Sequence, residues 1–322
     1  MSEEIKICSR RYINMSYVLT FLFTTLLFGA SSTELSENFY EISCPNFTSI
    51  VKEEVGARLK TEPRMGASLL RLHFHDCFAT GCDASVLLDD TASFIGEKRS
   101  EPNNNSARGF EVIDNMKVKV ETICPGIVSC ADILAAAARD SLGGPSWNVL
   151  FGRRDSTTAN KTASNMNIKG PHSNLNDLIQ GYASQGFTPQ ELVALSGGHT
   201  IGLAKCQFFT SRLSDGNIDP SFKKSLKDFC KVNGENGSHP LDMKTPLTFD
   251  NNYFMLLTQL RGLLHSDQQL LKEPTKHFVE VYANNKTAFF EDFTGVMIKM
   301  SKLGTLTGNS GIIRTNCRSI LS

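Results

Sequence analysis

Eight cysteines placed between Cys44 and Cys317 constrain this chain more than any other feature. They are Cys44, Cys77, Cys82, Cys124, Cys130, Cys206, Cys230 and Cys317. Upstream of them, Arg10 and Arg11 precede an apolar run from Tyr17 to Phe28, followed by Gly29, Ala30, Ser31, Ser32 and Thr33. A basic stretch, a short apolar stretch and small residues read as a secretory signal peptide over residues 1–33, with Met15 as an alternative start. The run is shorter than the roughly 20 residues of a spanning helix, which makes a short membrane anchor the weaker reading. Cleavage near Ser32 or Thr33 would remove the ninth cysteine, Cys8. An even set of cysteines in an exported chain reads as four disulfides, and spacing alone cannot choose among the roughly one hundred possible pairings. Zinc is the weaker reading, because only Cys77 and Cys82 lie close enough to resemble a ligand pair.

Within those staples the chain reads as helical. Thr188-Pro-Gln-Glu191 is a capping box with Pro189 at the first helical position, and Gly197-Gly198 ends the helix it opens. Cys130 to Arg139 is Ala-rich and helical. Phe290, Phe293, Val296, Met297, Met300 and Leu303 recur at helical spacing. Segments 152–174 and 231–248 are rich in Gly, Pro, Asn, Ser and Thr and read as long ordered loops. The expectation is an all-α domain over residues 34–322, with two lobes around a central site. Formal net charge is zero, so nothing points to a nucleic-acid or anionic-membrane partner. Sequons begin at Asn46, Asn104, Asn160, Asn236 and Asn285, possible glycan sites in a secreted chain.

The densest chemistry lies in Ser68-Leu-Leu-Arg71-Leu-His-Phe74-His75-Asp76-Cys77. On a helix Ser68, Arg71 and His75 share one face, whereas Met65, Leu69 and Leu72 lie on a stripe suited to a core. Burying an Arg and a His on one face is costly without partners, so the alternatives are a surface stripe or a site. His73 points elsewhere and reads as a core histidine. Asp76, Gly81, Asp83 and Ser85 then place two carboxylates and a hydroxyl within ten residues. That set suits calcium, or equally an acidic turn held by a bridge.

This stretch resembles the distal signature of the class III plant secretory peroxidases. So do Asn105-Ser-Ala-Arg108-Gly-Phe110, Val128-Ser-Cys130-Ala-Asp132, Gly144-Pro-Ser-Trp147, Gly152-Arg-Arg-Asp155, Leu195-Ser-Gly-Gly-His199-Thr200 and Asn316-Cys317-Arg318, in the family's order from about Leu35 onward. The resemblance implies a two-lobed helical haem-peroxidase fold with one haem b between distal and proximal helices. It implies His75 as distal base, Arg71 as stabiliser of developing charge, and Asn103 as the hydrogen-bond partner of the distal His. Phe74 would pack beside the haem. His199 matches the iron ligand, Asp267 the carboxylate behind it, and Ser68 and Arg64 the propionate contacts. Two calcium sites are implied. Asp76, Ala79, Gly81, Asp83 and Ser85 match the first, with Glu97 acting through water, and Thr200, Asp242, Thr245, Thr248 and Asp250 match the second. The family pairs the cysteines as 44–124, 77–82, 130–317 and 206–230. Because Asn103 adjoins the Asn104 sequon, that stretch is expected to fold inward and carry no glycan.

One departure lies at the substrate edge. In Ile168-Lys169-Gly170-Pro171, Lys169 stands where the family has a Pro whose carbonyl receives phenolic donors, and its cation would favour anionic phenols. Ala79 stands where the family often has Val. The function expected from the resemblance is reduction of hydrogen peroxide with one-electron oxidation of small phenols. The enzyme would be a monomer in the extracellular space or cell wall, free of the membrane after signal cleavage. The chain stops five residues after Cys317 without a resemblance to a vacuolar sorting extension. Two other classes compete: a haem-binding wall protein without turnover, and a disulfide-stapled, calcium-dependent binding module without haem.

Overall fold

The computed structural model describes residues 34–320, so the signal-peptide expectation for residues 1–33 lies outside the described residues. Residues 35–320 fall within one compact unit. It is helical, as expected. The described α-helices are α1 (Phe47–Thr61), α2 (Met65–Ala79), α3 (Phe110–Ile123), α4 (Cys130–Asp140), α5 (Lys161–Asn167), α6 (Leu175–Ala183), α7 (Pro189–Ser196), α8 (Pro220–Asn233), α9 (Asn252–Thr258), α10 (His265–Gln269), α11 (Lys276–Asn284) and α12 (Lys286–Met300). One short antiparallel pair, β1 (Leu203–Lys205) and β2 (Ser238–Pro240), joins Leu203 to Pro240.

The helices begin where the sequence offers side-chain acceptors. Thr188 and Glu191 form the capping box of α7, with Pro189 at its first position. Asp219 accepts from Phe222 N–H ahead of α8, and Asn160 and Asn285 cap α5 and α12 in the same way. Each such cap satisfies an end N–H that the helix itself leaves free and contributes about 1 kcal/mol.

The Ala-rich α4 is the spine, buried from Cys130 to Ala138, and α2 packs along it. Its first N–H groups are held from afar: the Asp155 carboxylate accepts from Cys130 N at 3.1 Å and Ala131 N at 2.9 Å. In the same turn, buried Asp132 accepts from Arg153 Nη1 at 2.8 Å, the Tyr40 hydroxyl at 2.8 Å and Gly152 N at 2.7 Å. Arg153 also donates to the Ser301 carbonyl just past α12. A buried ion pair is tolerable only when its remaining protons and lone pairs are used, as they are here. The two short motifs around Asp132 and Asp155 therefore build the scaffold.

The cysteines pair 44–124, 77–82, 130–317 and 206–230. The 130–317 bridge spans 187 residues and ties the start of α4 to the C-terminal segment, a constraint of roughly 5 kcal/mol on the unfolded chain in the loop-entropy picture. His73, Cys77 and Cys82 do cluster in the core, but both sulfurs are spent in the disulfide, so the zinc reading falls.

Candidate active site

α2 carries its two stripes as expected. Met65, Leu69 and Leu72 are buried in the core, while Ser68, Arg71, Phe74 and His75 line a cavity of about 630 Å³. Arg64, at the start of α2, lines it too. On the opposite wall stand Leu195, Gly198, His199 and Asp267. Thus α2 and the tight turn after α7 face each other across one space, which is in the size range of a ligand pocket.

On the α2 side, His75 Nδ1 lies 2.5 Å from Asn103 Oδ1. Asn103 commits its Nδ2 to the Glu97 carbonyl at 3.0 Å, so its oxygen must face the ring and accept. The neutral imidazole therefore keeps its proton on Nδ1 and leaves Nε2 as a lone pair. Burial, and next the Arg71 cation, holds the His75 pKa well below the usual histidine value. Arg71 donates to the Pro102 carbonyl at 2.7 Å. Burial pushes its pKa down to about 10, which still leaves a cation at neutral pH, held by a neutral acceptor. Phe74 sits edge-on to His75 with ring centroids 5.5 Å apart.

Across the cavity, His199 Nδ1 donates to Asp267 Oδ1 at 2.8 Å. This ring too is protonated on Nδ1 and has Nε2 free. Asp267 is buried and accepts twice more, from Leu264 N at 3.0 Å and from the Tyr253 hydroxyl at 3.0 Å. The residues expected to hold cations also converge. Asp76, Asp83, Ser85 and Glu97 are all buried. Burial raises Asp76 well above the usual carboxyl range, with Asp83 and Glu97 adding to it, and burial pushes Glu97 up to about 7. Glu97 Oε2 is buried without a partner. Buried carboxyls on neighbouring turns, one with an orphaned oxygen, are groups that could hold a hard cation. The Ala79 carbonyl accepts from Asn167 Nδ2 and the Gly81 carbonyl from Asp83 N, each leaving one lone pair. Gly81 is obligatory, since with φ +145° a Cβ would sit 2.4 Å from the Gly304 oxygen.

Beside His199, Thr200 Oγ1 lies 3.3 Å from Asp242 Oδ2 and 3.2 Å from Asp250 Oδ1. Thr245 Oγ1 lies 3.2 Å from the same Asp242 oxygen. One Thr200 proton cannot serve two carboxylates, so this cluster is short of positive charge in the way a cation would repair. Thr248 enters through its backbone, its N–H closing on the Thr245 carbonyl at 3.0 Å.

A peroxidase family model matches residues 51–285. Peroxidase 4 of Vitis vinifera is 50% identical over 316 residues, covering 95% of this chain and 98% of the relative. The lignin-forming anionic peroxidase of Nicotiana sylvestris is 49% identical over 308 residues, covering 93% and 96%. The chain belongs to the peroxidase family.

Two features of this peroxidase depart from the sequence reading. Asn103 folds inward, but Asn104 is exposed, so the expectation that its sequon turns inward is wrong. The turn after Ser100, closed by Asn103 N and Asn104 N on the Ser100 carbonyl, sends neighbouring side chains in opposite directions. Tyr253 had no local signal. Only the approach of α9 to α10 brings its hydroxyl onto Asp267. Lys169 lines the cavity, with its ammonium donating to the Met166 carbonyl at 2.8 Å at the end of α5.

Proposed function

We propose that this peroxidase binds one haem b and two calcium ions, and oxidises small phenols with hydrogen peroxide in one-electron steps outside the cell. The observation that carries this is the pair of Nδ1-protonated histidines facing one cavity, His75 backed by Asn103 and His199 backed by Asp267. His199 Nε2 is the iron ligand, and Arg64 and Ser68 on the cavity wall hold the propionates. Haem, when bound, supplies the redox-active iron that passes electrons from donor to peroxide. His75 Nε2 takes the proton from one peroxide oxygen and gives it to the other, which leaves as water. Arg71 stabilises the negative charge that develops as the O–O bond breaks. Two phenol molecules each give up one electron and one proton, so each peroxide yields two waters and two phenoxyl radicals. Phe74 limits how far a donor enters.

Asp76, Ala79, Gly81, Asp83, Ser85 and, through water, Glu97 hold one calcium. Thr200, Asp242, Thr245, Thr248 and Asp250 hold the other. Asp76 follows His75 and Thr200 follows His199, so the two ions brace the two walls of the cavity. Export is supported by the four disulfides, which persist in oxidising compartments. No described helix is long and apolar enough to cross a membrane. We take the working form to be a monomer. The lignin-forming relative makes cell-wall phenols the donor class of choice.

At the rim, the Lys169 stem crosses Gly181, where a Cβ would lie 2.2 Å from Lys169 Cε. The cation is thereby held beside the donor's path and favours phenols bearing a carboxylate. In Lys169→Pro the rate ratio of a hydroxycinnamate to its neutral ester should fall several-fold. An unchanged ratio would remove Lys169 from donor selection.

The deciding experiment is a visible spectrum of the secreted protein before and after one equivalent of hydrogen peroxide. A Soret band that weakens at once and returns when a phenol is added is the expected result. A band that peroxide only bleaches slowly would overturn the catalytic assignment of Arg71 and His75, and absence of a Soret band would overturn the haem itself.

A further inference from the structure

We propose that Tyr253 is a positioning residue that limits the negative charge Asp267 lends to His199 and so sets the reduction potential of iron held there. Asp267 Oδ1 is shared: His199 Nδ1–H donates to it at 2.8 Å and the Tyr253 hydroxyl at 3.0 Å. Oδ2 takes the Leu264 N–H. Every donor on a carboxylate draws charge from it and weakens its pull on the remaining protons. A phenol O–H on the same oxygen therefore competes directly with the imidazole. Tyr253 is 2% exposed, and burial next to the Asp267 charge holds its phenol well above its usual pKa, so it stays a donor. Its ring also stands edge-on to His199, centroids 6.0 Å apart at 90°, which fixes the imidazole's rotation about the Asp267 bond.

The same residue connects this pair to the neighbouring acid cluster. Tyr253, in the first turn of α9, lies three positions after Asp250, whose Oδ1 meets Thr200 Oγ1 and the Asn252 N–H. Thr200 in turn follows His199. Asp250, Tyr253, Asp267, His199 and Thr200 thus form a closed ring of chain and hydrogen bonds.

The inference rests on the haem reading above, and the test separates the two. Tyr253→Phe keeps the ring and deletes the hydroxyl. In the haem-loaded variant the ferric/ferrous midpoint potential should shift negative and the ferrous iron–histidine stretching band should move to higher frequency, with circular dichroism unchanged. Replacing Tyr253 with a ring-fluorinated tyrosine, a stronger donor, should move both readouts the opposite way, and it carries the test alone where the Phe variant fails to fold or to load haem. A loaded protein of either kind whose potential and stretching band stay at wild-type values overturns the role of Tyr253. A wild-type protein without histidine-ligated haem overturns both readings.

Discussion

His75 and His199 are the same residue type in the same tautomer, yet their neighbours prepare them for different work. Asn103 offers His75 a neutral oxygen, so nothing anionic favours protonation of a ring that burial already keeps neutral. Asp267 offers His199 a carboxylate, which pulls on Nδ1–H and makes Nε2 a better electron donor. His75→Ala should lower the rate of the peroxide step about 10²–10⁴-fold, measured by stopped-flow, while the Soret band persists. Because the His75 pKa lies well below the ordinary histidine value, the ring is already unprotonated at neutrality. The wild-type rate of the peroxide step should then stay flat from about pH 5 to 8, where an unperturbed histidine would titrate, and fall only at more acid pH. A rate that climbs steeply through the middle of that window would contradict the neutral, Asn103-held ring. Helical spacing by itself puts Ser68, Arg71 and His75 on one face. The 2.5 Å bond to Asn103, 28 positions away, needs the fold.

α7 shows how local chemistry and tertiary packing divide the control of one element. Its start follows from Thr188, Pro189 and Glu191. Its end falls at Gly197 as expected, but not through a left-handed glycine, for Gly197 has an ordinary helical φ of −59° and the chain tightens into a 3₁₀ turn over Gly197–Thr200. The reason for glycine is space: a Cβ at 197 would lie 2.3 Å from the Phe289 ring on α12 and 2.8 Å from Phe254 on α9. Gly197→Ala should therefore cost about 1–3 kcal/mol through overpacking and shift His199, two residues on. Thermal melting and haem retention should fall together. Retained haem affinity with a lowered melting point would mean that α7 relaxes without moving His199. Segments 152–174 and 231–248, read as loops, run largely as long connections, but the first hides α5, capped by Asn160, and the second begins inside the last turn of α8, which runs to Asn233, and also hides β2. A helix as short as α5 or a three-residue strand has too few turns or alternations to leave a periodic signature.

Across the molecule, the 77–82 disulfide and buried Asp76 lie at the end of α2, while Asp242 and Asp250 lie beside Thr200 next to His199. Without a cation, Asp76, Asp83 and Glu97 must share a buried space. Glu97 has a pKa of about 7 in the folded chain against an ordinary 4.5, so between those values the folded state holds more protons than the unfolded one. Stability of chelated protein should then fall as pH rises through that window, by a few kcal/mol in order of magnitude. Asp76 and Asp83 shift in the same direction. Calcium, by neutralising the cluster, should abolish the slope. Melting points at pH 5 and 8, with and without exhaustive chelation, test this. Chelation that leaves melting, haem absorbance and activity unchanged would sink the cation assignment.

The helical class, the core stripe of α2, the start of α7 and the even cysteine set are readable along the chain because each depends on residues within a few positions of one another. Caps, periodicity and composition act locally, so a linear string carries them. The cysteine pairing and the family's site residues come through resemblance, which transfers the result of folding without its cause. The exposure of Asn104, the demand for glycine at 197 and the hydroxyl of Tyr253 on Asp267 belong to the packed molecule alone. Each is a contact or a direction set by segments far apart in sequence, and its energy exists only once burial has removed the water that would otherwise satisfy those groups.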